Sequence, residues 1–279
     1  MTFRICSTFA STFILIMLGA STFGEVQAQR DSGAPVAALR TSGDSSFVPI
    51  LVYHGVFPHH PGQTPEQVAY DVAPEAFEAH MAYLRDHNFH VASLAEYVAA
   101  LESGNALPDR SVVITFDDGR ENQYVHAFPI LKQFGYTATF FVYPNPVGRR
   151  AEFMTWDQIR EMQVAGMTIG SHSYTHPYLT RIADPRQLKR EIEGSRVKLE
   201  KELGIHVEFF AYPFGARNAD AEAAVRNAGY KAARIFPGGA WNSKATVFAL
   251  RGLQVRDNLK AFGRAVERPA ATAVRATNG

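Results

Sequence analysis

Two adjacent carboxylates, Asp117 and Asp118, follow the apolar, β-branched run Ser111-Val-Val-Ile-Thr-Phe116 and precede Gly119. Neighbouring acids repel each other and lose hydration on burial unless a cation compensates them. Taken alone, the motif also suits a strand-to-helix turn capped by an aspartate. Further along stand His172 and His176. In a helical turn that spacing puts both imidazoles on one side, about 5–6 Å apart at Cβ, and neutral imidazole is the commonest metal ligand. Such a pair arises by chance on surface helices. Together with a post-strand Asp-Asp it predicts a divalent metal site. Two histidines and one carboxylate leave positions open for water and substrate, as a catalytic site needs. One acid then binds the cation while the other takes a proton from the water the metal activates. This is equipment for hydrolysing an amide or an ester.

The elements around these residues alternate. Strands are predicted at Val48–His54, Phe89–Ala92, Ser111–Phe116, Thr137–Tyr143, Met167–Gly170, Val207–Tyr212, Tyr230–Ile235 and Leu250–Val255. Helices are predicted between them: one from Pro74, one capped by Ser93 and Glu96, and one over Asn122–Gln133 kinked at Pro129. Others start at Thr155 with Gln158, at Asp184-Pro185, at Asn218 and at Asn258. Gly55 to Val72 reads as a loop, and His59 and His60 in it as solvated. Strand and helix alternating about seven times argues for a parallel α/β sheet, open or closed into a barrel. His54, Asp117-Asp118, Tyr143-Pro144, His172 to His176 and Pro213-Phe214-Gly215 all follow strands. In a barrel these positions share the C-terminal rim, so residues scattered along the chain become one site.

With 279 residues, 46% of them apolar, the chain can build one sizeable core. A net charge of +1 gives no reason to expect nucleic acid or an anionic membrane surface as partner. Residues 1–28 run from a basic start through an apolar stretch to Val26-Gln-Ala28, the pattern of a cleaved signal peptide. Processing would leave no membrane span and would remove Cys6, the one cysteine, so no thiol remains as ligand or nucleophile. Residues 29–47 read as a flexible leader, 48–267 as one catalytic domain and 268–279 as a disordered tail. The location implied is periplasmic or secreted; oligomeric state is open.

Thr115-Phe-Asp-Asp-Gly119, Ser171-His-Ser-Tyr-Thr-His176 and Phe210-Ala-Tyr-Pro-Phe-Gly215 resemble, in order and spacing, three signature motifs of the polysaccharide deacetylase family (carbohydrate esterase family four). The resemblance runs over about Val48 to Val266. It implies a distorted (β/α) barrel of about seven strands, a divalent ion with zinc foremost, and removal of acetyl groups from an acetylated polysaccharide. By the match Asp117 is the general base, and Asp118, His172 and His176 are the metal ligands. Tyr212, Pro213, Phe214 and Gly215 would border the sugar, with an N–H near Phe214 on the oxyanion. Val52-Tyr-His-Gly55 resembles the branch acting on poly-N-acetylglucosamine, where His54 would stand beside the metal and could act as general acid. One departure is plain: many members carry, where Ala211 stands, an arginine that orients the base, and its usual acidic neighbour has no obvious counterpart. No Leu-x-His near the C-terminus supplies the usual acid either. Two other classes stay open, a non-catalytic metal- or glycan-binding module and a non-haem iron oxygenase. The oxygenase's ligands normally sit on a β-sandwich, which alternating helices disfavour.

Overall fold

The structure is a computed structural model that describes residues 45–269. Residues 1–28, most of 29–47 and nearly all of 268–279 lie outside that range. Ser45–Phe47, within the stretch read as a leader, pairs antiparallel with Trp241–Ser243.

Eight parallel strands form the main sheet: β1 Ile50–Tyr53, β2 His90–Ala92, β3 Ser111–Phe116, β4 Thr139–Val142, β5 Thr168–Ser171, β6 Phe209–Ala211, β7 Ala232–Ile235 and β8 Leu250–Gln254. Seven of them close a barrel in the order β1-β8-β7-β6-β5-β4-β3, and β3 returns to β1. The first half of β3 pairs with β2 and the second half with β1, so β2 stands outside the ring. The barrel expectation therefore holds.

Helices α1 Pro74–Asp86, α2 Leu94–Ser103, α3 Phe128–Phe134, α4 Trp156–Val164, α5 Pro185–Leu203, α6 Ala219–Asn227 and α7 Leu259–Val266 link the strands. Their starts follow sequence chemistry. Ser93 with Glu96 and Thr155 with Gln158 form reciprocal capping boxes, while Asp184 and Asn218 cap α5 and α6. The helix predicted over Asn122–Gln133 is instead a π turn at Gln123–Ala127 followed by α3, with Pro129 in the first turn of α3, where its missing N–H costs nothing. The Gly55–Val72 loop contains the strand pair Gly55–Val56 and Asp71–Val72 and the short helix Pro65–Tyr70. His59 and His60 in that loop are exposed as expected, and His59 also pairs with Asp257 and hydrogen-bonds Gln63.

Two apolar layers follow from the strand period of two. Val112, Ile114 and Phe116 pack outward against the helices. Val113, Phe141, Phe209, Ala211 and Ala232 fill the barrel interior. Gly170 serves that interior: a Cβ there would lie 2.5 Å from the Phe141 ring.

Candidate active site

Alternation on β3 carries the inward face from Val113 through Thr115 to Asp117, so the first carboxylate enters the top of the barrel, 3% exposed. Asp118 would then point outward. Its left-handed backbone, with φ of +80°, turns it back over the rim, and Gly119 follows with φ of +72°. A Cβ on Gly119 would meet Val142 at 2.9 Å, so the turn needs glycine.

Asp117 is held by a residue the motifs did not point to. Arg234 of β7, 1% exposed, donates from Nη2 to Asp117 Oδ1. In register Arg234 stands opposite Ala211, so the guanidinium reaches the same level of the barrel from the strand beside the expected one. The arginine missing at Ala211 thus has a counterpart on the neighbouring strand. A lone Arg on the inward phase of an apolar strand, Ala232-Ala-Arg234, was the available signal, because a buried charge requires a partner. Burial works to raise the Asp117 pKa, but Arg234, His172 and His54 outweigh it and bring it down to about 2. The carboxylate is ionised throughout the neutral range, with Oδ2 left to face the site.

His54, which ends the inward phase of β1, places Nε2 3.9 Å from that Oδ2. Its ring packs on Tyr70 and Phe236 at 4.9 and 5.4 Å, and its buried Nδ1 has no hydrogen-bond partner among the described residues. Burial lowers its pKa against the pull of Asp117 and Asp118. Gln123, fully buried in the π turn, donates to the carbonyls of both His54 and Asp117 and ties the ends of β1 and β3 together.

His172 and His176 do meet, but not through a helix as their spacing suggested. Ser173 and His176 are left-handed, with φ of +64° and +62°, and the chain doubles back between them. Glu191 of α5, 3% exposed, holds this turn by accepting from the N–H groups of Tyr174 and Thr175 and from the Thr175 hydroxyl. His172 Nδ1 lies 2.8 Å from the Ala211 carbonyl, which fixes the proton on Nδ1 and leaves Nε2 free as a ligand.

Asp118 Oδ1 and the two Nε2 atoms form a triangle with sides of 3.2, 3.5 and 3.9 Å. The point equidistant from all three lies about 2.1 Å from each, within the range of zinc bonds to histidine and carboxylate. The residues present therefore fit a divalent ion, and among the described residues no other cluster of this kind occurs. Asp117 Oδ2 stands 4.0 Å from His172 Nε2, outside the triangle but beside it.

Of the four residues expected to border the sugar, two are buried. Tyr212 is 1% exposed and Pro213 is buried, because the residue after inward-facing Ala211 must turn to the helix layer. Phe214 does reach the surface, 47% exposed. Gly215 is partly exposed and lies where a Cβ would clash with the Phe236 carbonyl at 1.5 Å.

Comparison with known proteins finds polysaccharide deacetylases. The family model for polysaccharide deacetylase matches residues 104–233. YxkH of Bacillus subtilis, which carries a polysaccharide deacetylase name, is 28% identical over 87% of this chain and 84% of its own. The poly-beta-1,6-N-acetyl-D-glucosamine N-deacetylase of Staphylococcus aureus (strain MRSA252) is 26% identical over 78% of this chain and 81% of its own. Among solved structures, the Streptococcus pyogenes deacetylase PplD in complex with acetate superposes with a TM-score of 0.72 at 27% identity, covering 79% of this chain and 98% of that one.

Proposed function

We propose that the chain acts as its likeness to polysaccharide deacetylases suggests, as a hydrolase of amides, and that it removes N-acetyl groups from an extracytoplasmic polymer of N-acetylated sugar, poly-β-1,6-N-acetylglucosamine first. Asp118, His172 and His176 hold a divalent ion, with zinc the best match to two imidazoles and one carboxylate. When bound, that ion lowers the pKa of water towards ~7 and polarises the acetyl carbonyl. The rest falls to protein groups. Asp117 Oδ2 takes the proton as water oxygen attacks the acetyl carbon, while Arg234 holds Oδ1 and keeps the group ionised. An N–H near Phe214 receives the developing oxyanion. The carbon–nitrogen bond then breaks, the sugar nitrogen takes a proton, and acetate and an amine leave. His54 Nε2, 3.9 Å from Asp117 Oδ2, takes from that carboxylate the proton it removed from water and hands it to the nitrogen, so both groups return to their starting state. Phe214 and Gly215 border the sugar.

The observation that carries this reading is the pairing of one free, ionised carboxylate with a three-ligand triangle beside it. The basic and apolar pattern of residues 1–28 supports export. No helix among the described residues is long and apolar enough to cross a membrane. The test is acetate release by the zinc-loaded protein from poly-β-1,6-N-acetylglucosamine, chitin oligomers, peptidoglycan and acetylated xylan. The expected order puts the first substrate fastest. Bound metal with no acetate from any of the four would leave a binding module instead.

A further inference from the structure

The two histidine ligands are supported in different ways. His172 is oriented by a hydrogen bond from Nδ1 to a backbone carbonyl. Metal-bound histidines are usually oriented like this through the ring nitrogen that does not bind the ion. His176 has no such partner among the described residues. Its backbone N–H donates to Ser173 Oγ, and its Nε2 belongs to the triangle. What surrounds its ring is aromatic. Tyr143, just past β4, lies 5.1 Å away, and Phe214, just past β6, lies 4.6 Å away. These come from the strands on either side of β5, whose loop carries His176.

Each ring is itself backed by a second aromatic and an arginine. Tyr143 packs edge-on to Phe153 at 5.3 Å, and the Arg150 guanidinium lies over Phe153 at 5.4 Å. Phe214 stacks on Tyr178 at 3.9 Å and 9° between planes, and Arg181 lies over Tyr178 at 4.2 Å. Phe214 also holds a left-handed backbone, with φ of +58°, a conformation that disfavours a bulky side chain. Folding gives no reason to hold a half-exposed phenyl there. The position does set that phenyl against His176.

We infer that Tyr143 and Phe214, each backed by its own aromatic–arginine stack, clamp the His176 imidazole and so set metal affinity in place of a hydrogen bond. They are positioning residues. The inference rests on the proposed ligand set, Asp118, His172 and His176, but not on the identity of the substrate.

The experiment measures zinc dissociation constants on the full chain by competition with a chromophoric chelator, and visible spectra with cobalt. Phe214→Gly is the informative variant, because glycine relieves the left-handed strain while removing the ring. The metal-free protein should melt within about 4 °C of wild type, the scale of a small stability change in a domain this size. Zinc affinity should nonetheless fall about 10- to 100-fold, as for other outer-shell changes. Tyr143→Leu should behave alike, Tyr178→Ala should show a smaller loss, and Phe214→Tyr should restore wild-type affinity and spectrum. His176→Ala sets the scale. If it binds zinc as wild type does, the ligand set falls and the clamp with it. If it loses zinc while Phe214→Gly and Tyr143→Leu bind as wild type, the clamp alone is overturned.

Discussion

The site has an inner and an outer half, built on different principles. Inside the barrel mouth, Asp117, Arg234 and His172 are almost wholly buried and held by an ion pair and a hydrogen bond to a carbonyl. On the rim, Asp118 and His176 are swung into place by left-handed turns, and His176 meets aromatic rings instead of a hydrogen-bond acceptor. The inner half lies in the low-dielectric interior, where a misplaced charge is expensive and geometry is over-determined. Under the proposed function the outer half has to admit an ion and a polymer, and a lighter hold suits exchange. The carboxylate proposed to move a proton is thus fixed more firmly than the one proposed to bind metal.

Breaking the inner half should give the largest effect. Arg234→Met leaves Asp117 buried without its partner, and removing one member of a buried pair costs roughly 3–5 kcal/mol. Urea unfolding should show that loss, and turnover should fall with it. Adding Asp117→Asn to Arg234→Met should recover most of the stability, since neither charge is then stranded. No recovery would mean that the pair is not the inner anchor.

His54 joins the two halves, and His54→Ala is expected to keep metal and fold while losing at least ~10-fold in turnover. If His54 donates the proton, the variant also loses the alkaline limb of the rate profile. Unchanged turnover would reduce His54 to a packing residue against Tyr70 and Phe236.

Much of this was legible in the sequence. The Asp-Asp pair, the two histidines and the strand–helix alternation were enough to place one site on one rim, and the helix caps followed from Ser93, Thr155, Asp184 and Asn218. What was not legible depends on lateral register. Arg234 does the work expected near Ala211 because β6 and β7 are neighbours in step, and no motif along one strand contains that fact. Glu191 and Gln123 act through backbone groups distant in sequence, on positions that look unremarkable in a charged helix and a turn. Tyr212 was a misreading that the period of two could have corrected, since Ala211 already takes the inward phase.

Away from the site, His80 sharpens the contrast between buried and exposed groups. It is fully buried, stacked 4.1 Å from Phe262, with Nε2 unpartnered among the described residues, and burial lowers its pKa to about 4. The fold therefore favours neutral His80. Its contribution to stability is complete above the unfolded value near 6.5 and is lost as pH falls from there towards 4, up to about 3 kcal/mol. Denaturant midpoints of His80→Gln should fall less between pH 7 and 4 than those of wild type. Parallel curves would remove His80 from the acid sensitivity.

The smallest expected change is at Tyr212, whose buried hydroxyl has no partner among the described residues. Tyr212→Phe should leave KM unaltered and change stability by no more than about 1 kcal/mol, in the favourable direction. A rise in KM would return Tyr212 to the sugar groove.

The division of labour between adjacent carboxylates is tested most directly by measuring bound zinc and acetate release in the same samples of Asp117→Asn and Asp118→Asn. The account predicts that Asp117→Asn keeps one zinc per chain and releases acetate at least ~100-fold more slowly than wild type, the lower range for loss of a general base. Asp118→Asn should lose both metal and activity. Equal zinc in the two variants, or wild-type acetate release by Asp117→Asn, would contradict it.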